Sequence, residues 1–423
     1  MSIFHKIFYI TGVCLKNVEV IKKYRFLKKT EKWNRAQIEA YQLSQINKLL
    51  NNAVSNSEYY KEKYKNIDFR IDSLDDLKKL PTLSKFELLK FNTDIHTKTN
   101  DKLIFSETSG STGEPLIFYR NKEWDGGHRA AQLRGYSWHD IKPWNKNGYF
   151  WGYDFSNKSI IKIKFLDFLL NRHRIFSYKE KDIKKFTKKL KSSQYVEGYS
   201  SMIYEVAKSM NKKEQKILNL KMIKGTSEKI YDHYQDEVKK AFGKKMISEY
   251  GAAEAGIIAF ECKYNNMHIT EENVIVEEVN GEILVTNLLS SSFPIIRYKL
   301  GDNIVLNKST ECKCGLKHYI IEEITGRIGN PVYGYSEQYP SLTFYYIFKN
   351  LAVKHNLKFN YQVVQRIKGQ LMLSLEEEVN VEEKNLILKE FKEYFNNDIK
   401  IVFNENKLIR DYKSKVKDFI SYL

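Results

Sequence analysis

The sequence predicts an α/β protein with a largely parallel sheet. A strand that begins at Tyr195 leads into a helix that ends near Met210. A second strand, Lys221–Gly225, is followed by a turn, Thr226–Glu228, and by a helix from Lys229 to Phe242. Repeated strand–turn–helix units are typical of parallel sheets that helices cover. Because such sheets bind ligands at the carboxyl ends of their strands, these turns are candidate binding positions.

The second half of the chain has a different pattern. From Met267 to Val305, alternating and β-branched residues predominate, and Asn280-Gly281 is a strong hairpin signal. We expect a β subdomain at about residues 262–325, within a large N-terminal domain of residues 1–327. Residues 328–423 mix strands with an amphipathic helix, which predicts a small, mobile α+β C-terminal domain.

Composition narrows the classes of partner. The chain has 423 residues and a formal net charge of +18, which suits an anionic substrate, a nucleic acid or an anionic membrane surface. No nucleic-acid-binding signature accompanies this charge, so we expect no nucleic-acid partner. Four cysteines are too few for a secreted disulfide scaffold of this size, which favours a cytoplasmic location. A homodimer is left open.

The first apolar stretch of the chain is Ile7–Leu15. It is too short to span a bilayer, and it has a lysine at each end and no small-residue cleavage site, so we do not interpret it as a signal peptide. Two interpretations stay open: a short helix packed on the body of the protein, or a contact with the membrane surface. We therefore expect at most peripheral contact with the inner face of the membrane.

A loop rich in glycine and hydroxyl residues separates two strand-like runs. It reads Thr108-Ser-Gly-Ser-Thr-Gly-Glu-Pro115. Glycine allows the main chain to approach a ligand closely, and successive backbone N–H groups can form a nest for phosphate oxygens. A polar hairpin loop is the alternative, and the loop lacks the Gly-Lys-Ser/Thr of a Walker motif. The candidate phosphate-binding residues are Thr108, Ser109, Gly110, Ser111, Thr112 and Gly113.

Four further motifs follow in order. They are Gly225-Thr-Ser-Glu228, Tyr250-Gly-Ala-Ala-Glu254, Phe293-Pro-Ile-Ile-Arg-Tyr-Lys-Leu-Gly-Asp302 and Gly326-Arg327. Together with the loop, and with the approach Leu80-Pro-Thr-Leu-Ser-Lys85, they resemble the motifs of adenylate-forming enzymes, in the phenylacetate–CoA ligase and CapK-like branch. Each motif alone is weak, but the ordered set covers nearly the whole chain.

The resemblance implies the adenylate-forming ligase fold and a function. A carboxylic acid would react with ATP, in the presence of Mg²⁺, to give an acyl-adenylate and pyrophosphate. The acyl group would then pass to CoA or to another acceptor, such as a saccharide hydroxyl or amine. The resemblance assigns nucleotide binding to the loop and to Ser227, Glu228, Tyr250, Gly251, Ala252, Asp302 and Arg327, with Tyr250 near adenine and Asp302 at the ribose hydroxyls. It assigns catalysis to Glu254, which would also contact Mg²⁺, and to Arg297 and Lys415.

The chain departs from the family pattern at two places. Ala253 replaces the usual hydroxyl residue, and Ile328-Gly-Asn330 stands where the family usually has an aspartate after the Gly-Arg. Lys415, in Lys413-Ser-Lys-Val-Lys-Asp-Phe-Ile-Ser421, falls on the position of the family's C-terminal lysine, with Lys413 and Lys417 as competitors. A lysine there would neutralise charge on the α-phosphate; the alternative is an exposed lysine in a basic tail. The departures leave open a second class of function, a catalytically reduced nucleotide-binding or assembly protein.

Cysteine and histidine residues predict a metal site. Cys312-Lys-Cys314 is a tight turn with two thiols, and Cys262 and His268 lie upstream. Three cysteines and one histidine form one of the closed tetrahedral zinc arrangements, so the predicted role is structural. The alternative is a set of free thiols in a reducing compartment.

Overall fold

A computed structural model describes residues 2–108, 115–150, 157–175, 180–210, 219–309, 311–327, 331–339, 341, 343–404 and 418–423. In these ranges the helices are α1 (Ser2–Lys16), α2 (Glu19–Thr30), α3 (Arg35–Asn56), α4 (Glu58–Lys63), α5 (Lys85–Lys90), α6 (Asn92–Ile95), α7 (Lys122–Trp138), α8 (Asn157–Leu169), α9 (Glu180–Leu190), α10 (Ser200–Ser209), α11 (Asp232–Phe242), α12 (Thr343–His355) and α13 (Val381–Phe395), with a 3-10 helix at Leu74–Lys79.

The strands of the large sheet and of a small hairpin come next. They are β1 (Ile104–Glu107), β2 (Ile117–Arg120), β3 (Asn147–Phe150), β4 (Arg172–Arg174), β5 (Tyr195–Tyr199), β6 (Met222–Thr226), β7 (Ile247–Ala252), β8 (Gly256–Glu261), β9 (Met267–Ile269), β10 (Val274–Val279), β11 (Glu282–Asn287), β12 (Tyr298–Asn307) and β13 (Ile320–Arg327). The remaining strands are β14 (Val332–Tyr333), β15 (Gln338–Tyr339), β16 (Tyr361–Ile367), β17 (Gln370–Leu375), β18 (Lys400–Asn404) and β19 (Phe419–Ser421).

The large sheet confirms the α/β prediction, but the sheet is mixed, so the prediction that it is largely parallel was wrong. Its strand order is β10-β11-β12-β13-β9-β8-β7-β6-β5-β3-β4. The four pairs from β4 through β3, β5 and β6 to β7 are parallel, and the six pairs from β7 through β8, β9, β13, β12 and β11 to β10 are antiparallel. The strands of the predicted β subdomain therefore continue the same sheet by hydrogen bonding.

Burial explains the parallel part of the sheet. Strand β5 is buried along its length, and α10 and α11 cover the neighbouring strands through a core that includes Val196, Ile203, Ile223 and Val238. Strand β6 lies one residue later than predicted, and α11 begins at Asp232 because Tyr231 is extended. The carboxyl ends of β5, β6 and β7 face the turns that the sequence singled out.

Local turn and cap signals also match the structure. Ser84 and Glu87 form a reciprocal capping box at the start of α5. Asn280 and Gly281 take positive φ angles of 54° and 82° and join β10 to β11 as a hairpin. Short polar motifs of this kind determine local structure because their hydrogen bonds need no distant partner.

A second, four-stranded sheet forms near the end of the chain. Its order is β18-β17-β16-β19, and α12 and α13 pack on it through a core that includes Phe344, Val363, Leu373 and Phe391. The Tyr231 hydroxyl donates a hydrogen bond to the Asp418 carboxylate, which joins β19 to the large sheet's α11. The domain boundary at 327 and 328 stays a prediction, since residues 328–330 lie outside the described residues.

Candidate nucleotide site and cysteine–histidine cluster

Three predicted nucleotide-binding residues, on β7, β12 and β13, come together. The Tyr250 hydroxyl donates a hydrogen bond to Asp302 Oδ2 over 2.7 Å. Asp302 is buried, and its backbone partner across the β12–β13 ladder is Arg327. The motifs that contain these residues are far apart in the sequence, and the antiparallel pairing of β12 and β13 is what brings two of them side by side.

The predicted turn after β6 lies against the same group of strands. Lys229 Nζ donates to the Thr325 carbonyl over 3.3 Å, two residues before Arg327 in β13. Ser227 has a left-handed φ of 66°, and Glu228 Oε2 accepts a hydrogen bond of 2.9 Å from the Ser201 N–H. A carboxylate at this end of α10 is stabilised by the helix dipole. Hydrogen bonds to β13 and to α10 therefore hold the turn in place.

Glu254, the predicted Mg²⁺ contact, lies in the tight turn between β7 and β8. Its side chain is buried, and its Oε1 accepts a hydrogen bond of 3.2 Å from the Tyr298 hydroxyl. The neighbouring Ala253 packs against the apolar cluster that contains Tyr298. Tyr298 is the first residue of β12, so the Tyr-Gly and Gly-Asp motifs contact each other at two points, Tyr250–Asp302 and Glu254–Tyr298.

Gly251 allows that turn to be tight. A Cβ atom at Gly251 would lie 2.4 Å from the Gly256 carbonyl oxygen, which is closer than a real side chain permits. Any larger residue would push β7 and β8 apart. The predicted ligand residues Gly251 and Ala252 thus lie at the edge of this turn, with Ala252 paired to Gly256.

Arg297, predicted as catalytic, is engaged by protein groups. Its Nε and Nη2 donate to the two carboxylate oxygens of Glu277, both at 2.9 Å, and its Nη1 donates to the Leu80 carbonyl. The side chain is buried, and φ is +48°, in the left-handed region. These contacts join the Leu80–Lys85 segment to β10 and β12. The catalytic role of Arg297 stays a prediction.

The described part of the predicted phosphate loop is its base. The Thr108 N–H donates to the Leu116 carbonyl over 3.0 Å, and the Leu116 N–H donates to Thr108 Oγ1 over 2.8 Å. Phe118, in β2, stacks on Trp124 and Phe293. The β1–β2 hairpin is thereby fixed to the start of the Phe293–Asp302 motif.

Several predicted residues lie outside the described part of the chain. They are Ser109, Gly110, Ser111, Thr112 and Gly113 of the loop, the hinge residues Ile328, Gly329 and Asn330, and the lysines Lys413, Lys415 and Lys417. Their predicted roles stay predictions. Asp418, which is described, follows Lys415 by three residues in the chain and is bonded to Tyr231 as described above.

A buried charge network next to Tyr250 was missed by the sequence analysis. Lys224 Nζ lies 2.9 Å from Glu249 Oε2 and 3.2 Å from Glu197 Oε2, on three neighbouring strands. Burial disfavours the charged lysine, but Glu249 and Glu197 raise its pKa above the ordinary value. Thr226 Oγ1 donates to Glu249 over 3.1 Å. The sequence did contain a signal for this network, because Glu197, Lys224 and Glu249 are charged residues inside segments that otherwise have the pattern of buried strands.

The predicted metal ligands form one cluster. The ligand atoms of Cys262, His268, Cys312 and Cys314 all lie within 4.8 Å of one another. Cys262 Sγ and Cys312 Sγ are 3.8 Å apart, and Cys314 Sγ lies 3.2 Å from His268 Nε2. Two sulfurs that are each about 2.3 Å from a tetrahedral zinc ion are separated by about 3.8 Å. The spacing of the cluster therefore fits a zinc ion.

Groups around the cluster orient its members. His268 Nδ1 lies 3.3 Å from the His318 carbonyl oxygen, which leaves Nε2 facing the sulfurs. Burial lowers the pKa of His268 to about 4, so the imidazole is neutral at pH 7. The Asn266 side-chain amide donates to Cys312 Sγ over 3.2 Å, and the Tyr264 N–H donates to Cys262 Sγ over 3.4 Å. These donors favour the thiolate, the form that binds metal, and the pKa of the Cys312 thiol is lowered although burial opposes this, whereas burial raises the pKa of Cys262 and of Cys314.

Comparison with known proteins relates the chain to one curated protein and to a group of solved structures. It is 26% identical over 300 residues to Protein CapK of Staphylococcus aureus, a match that spans 64% of this chain and 64% of CapK. No family model matches the chain. Among solved structures, 2-hydroxyisobutyryl-CoA ligase in the postadenylation state, with 2-HIB-AMP, has a TM-score of 0.70 and 15% identity, over 93% of this chain and 91% of that one.

Two further structures complete the comparison. An open conformation of 2-hydroxyisobutyryl-CoA ligase, with 2-HIB-AMP and CoA, has a TM-score of 0.62 and 15% identity, over 93% of both chains. An ATP-bound RpMatB–BxBclM chimera has a TM-score of 0.51 and 12% identity, over 76% of this chain and 67% of that one. The chain therefore has the fold of these adenylate-forming ligase structures and is similar in sequence to CapK, as its ordered motifs predicted.

Proposed function

We propose that the protein activates a carboxylic acid with ATP to give an acyl-adenylate and pyrophosphate. A carboxylate oxygen of the acid would attack the α-phosphorus, and the bond from that phosphorus to the pyrophosphate oxygen would break. The observation that carries the proposal is the Tyr250–Asp302 hydrogen bond beside Arg327, because it unites separate motifs of the family pattern at one place. The fold and the relatives described above support the same reaction.

The proposed roles follow from the chemistry of each side chain. Asp302 would accept hydrogen bonds from the two ribose hydroxyls, while the bond from Tyr250 fixes the carboxylate. The Tyr250 ring would lie beside adenine. Glu254 would hold Mg²⁺, which supplies charge neutralisation at the phosphates when bound. The amides of residues 108–113 would bind phosphate oxygens, and Lys415 would neutralise the charge that develops on the α-phosphate.

The acceptor of the acyl group is proposed at the level of chemical class. Two of the solved structures compared above contain 2-HIB-AMP, and one of them also contains CoA. This supports CoA as acceptor. A saccharide hydroxyl or amine is the other acceptor that the CapK-like resemblance implies. Either nucleophile would attack the acyl carbon and release AMP.

The test is ATP–pyrophosphate exchange over a panel of carboxylic acids. We expect exchange with a subset of acids and none without acid. Addition of CoA should then convert the active acids to thioesters, with loss of free thiol; if it does not, saccharide acceptors are tried with the same acids. Absence of exchange with every acid, in protein that still binds ATP, would refute the activation step.

A nucleotide-binding protein without turnover is the second candidate. It is favoured by one observation, the packing of Ala253 against an apolar cluster at the position where the family usually has a hydroxyl. This candidate predicts ATP binding with no pyrophosphate exchange and no effect of Lys415→Ala. The Ala253→Thr variant separates the two, since a restored hydroxyl would raise exchange only in a catalytic site.

We also propose a structural zinc site at Cys262, His268, Cys312 and Cys314. The support is the 3.8 Å sulfur–sulfur distance and the orientation of His268 by the His318 carbonyl. Four protein ligands make a closed site, which suits a structural ion better than a catalytic one. Zinc would join the end of β8 and β9 to the connection between β12 and β13, close to the strand that carries Asp302.

A further inference from the structure

Two helices carry apolar stripes that face outward. In α1, Ile3, Ile7 and Ile10 recur at helical spacing and are exposed, with Ile7 61% exposed. In α8, Ile161 and Phe165 have the same spacing and continue to Phe168, with Phe165 62% exposed. A stripe with this period normally faces the core. Here both stripes face away from it.

The two stripes lie on neighbouring helices that contact each other. His5, on α1, is buried, and its Nδ1 lies 3.0 Å from the Leu169 carbonyl oxygen at the end of α8. The His5 ring also meets the Phe168 ring edge-on, with 6.2 Å between ring centroids, and meets Phe4 on its own helix. The exposed apolar residues of these two contacting helices, together called the patch, are the kind of surface that marks an interaction site.

The charges around this patch are basic. Lys6 and Lys16 are exposed on α1, and Lys162 and Lys164 are exposed on α8. The sequence of α1 contains no acidic residue, and the acid of α8, Asp167, is buried and paired with Arg174 at 2.9 Å. The patch is thus an apolar surface with lysines at its sides, in a chain of net charge +18.

We propose that α1 and α8 form a membrane-binding surface that lies in the plane of an anionic bilayer. The isoleucine and phenylalanine side chains would enter the boundary between headgroups and acyl chains, and the lysines would contact anionic headgroups. Among the described residues, no helix has the length and apolar character that would let it cross a membrane. The proposal concerns helices that are separate from the nucleotide-site residues of β7, β12 and β13, and it does not depend on their chemistry.

Charge complementarity favours an anionic bilayer over a second copy of the chain as the partner of this patch. A self-associating face would bring the lysines of the two copies together, which is unfavourable without intervening acids. An anionic lipid surface pairs with the same lysines at a favourable energy. Binding should therefore need both parts of the patch, apolar side chains for insertion and anionic lipid for attraction, and should weaken as salt screens the charges.

The experiment measures co-sedimentation of the full chain with vesicles. One set contains phosphatidylcholine alone, and the other contains about 30% phosphatidylglycerol. The test variant is the pair Ile7→Glu and Phe165→Glu. The control is Ile367→Glu with Val381→Glu, which changes two apolar residues of similar exposure, 60% and 72%, on other elements. Circular dichroism and thermal unfolding establish that both double variants are folded.

We expect the native chain and the control to bind the anionic vesicles, and the Ile7/Phe165 variant to bind at least about tenfold more weakly. Binding to phosphatidylcholine alone should be weaker, and raised salt should lower binding to anionic vesicles. Equal binding by the two double variants would overturn the proposal. So would absence of vesicle binding together with a concentration-dependent dimer, by sedimentation velocity, that the Ile7/Phe165 variant loses.

Discussion

The hydroxyl of Tyr250 donates a hydrogen bond to Asp302 over 2.7 Å, although three strands, β13, β9 and β8, lie between β12 and β7 in the sheet. A buried carboxylate needs such a donor, because desolvation would otherwise disfavour its charge. The bond gives Asp302 a fixed orientation. It therefore prepares the carboxylate to accept hydroxyl groups, as the proposed ribose contact requires.

Asp302→Asn should reduce kcat/KM for ATP in pyrophosphate exchange by about 10- to 100-fold. The reason is that the amide keeps the shape but loses charge-assisted hydrogen bonds, which contribute about 1.5–3 kcal/mol. Tyr250→Phe keeps the ring and removes the donor, so we expect a smaller loss, of about tenfold or less. Unchanged kinetics in Asp302→Asn would leave Asp302 with a structural role only.

The Glu277–Arg297 pair is predicted to stabilise the fold. Glu277→Ala leaves a buried guanidinium without its partner and should lower the free energy of unfolding by about 3–5 kcal/mol, measured by denaturant titration. Asp75→Ala breaks the exposed pair with Lys78 and is the control, in which we expect no measurable change. If Arg297 instead acts only in catalysis, Glu277→Ala would leave stability intact.

Removal of zinc should destabilise the protein. A purified sample is expected to contain one zinc ion per chain, and a strong chelator should lower the melting temperature by several degrees, because binding free energy of a structural metal contributes to folding. Cys312→Ser should reproduce this loss. Cys14→Ser is the matched control, since Cys14 is exposed and lies outside the cluster. A metal-free sample with native stability would favour free thiols.

His128 predicts an acid sensitivity of stability. Burial lowers its pKa from 6.5 to about 4, with further effects of Arg120, Glu249, Asp125 and Arg129. Because the folded pKa is depressed, the unfolded chain binds the proton more tightly, so stability is complete above pH 6.5 and falls as pH decreases toward 4. The loss from this residue should reach about 2 to 3 kcal/mol near pH 4.5.

His128→Phe removes this titration and is the variant that isolates it. His128 Nδ1 is buried and has no hydrogen-bond partner among the described residues, so the phenyl ring leaves no donor unsatisfied. Denaturant titrations at pH 7.5 and 4.5 should show a smaller pH-dependent loss in His128→Phe than in the native chain. Equal losses in both proteins would mean that carboxylates alone cause the acid sensitivity.

Much of the site could be predicted from the sequence because its motifs depend on neighbouring residues. Gly251 and Gly256 are needed where β7 and β8 approach closely, and Asn280-Gly281 suits the positive φ angles of a hairpin. Ser84 and Glu87 cap α5 with no distant partner. Such requirements can be read from neighbouring residues, and a pattern of them in order predicted the fold.

Contacts that depend on strand register could not be predicted in the same way. Lys224 meets Glu197 and Glu249 only because β5, β6 and β7 are adjacent and in register. Arg297 meets Glu277 because β10, β11 and β12 fold back on one another. These are properties of the assembled sheet. The outward stripe on α8 was also missed, since its period alone indicates a buried face.

Lys415→Ala is the prediction that tests the C-terminal residues. We expect pyrophosphate exchange to fall by about 100-fold or more, since an ammonium at the α-phosphate stabilises charge that develops in the transition state. Lys413→Ala and Lys417→Ala are matched controls from the same basic segment and should change exchange by less than about threefold.

Lys415 precedes Asp418 by three residues, and the Tyr231 bond to Asp418 joins that part of the chain to α11, directly after the turn Gly225–Glu228. Tyr231→Phe should therefore lower exchange while ATP affinity is retained. If Lys413→Ala or Lys417→Ala gives the large loss instead, the catalytic lysine is the one that was changed; equal small effects of all three would exclude a lysine of this segment from the adenylation step.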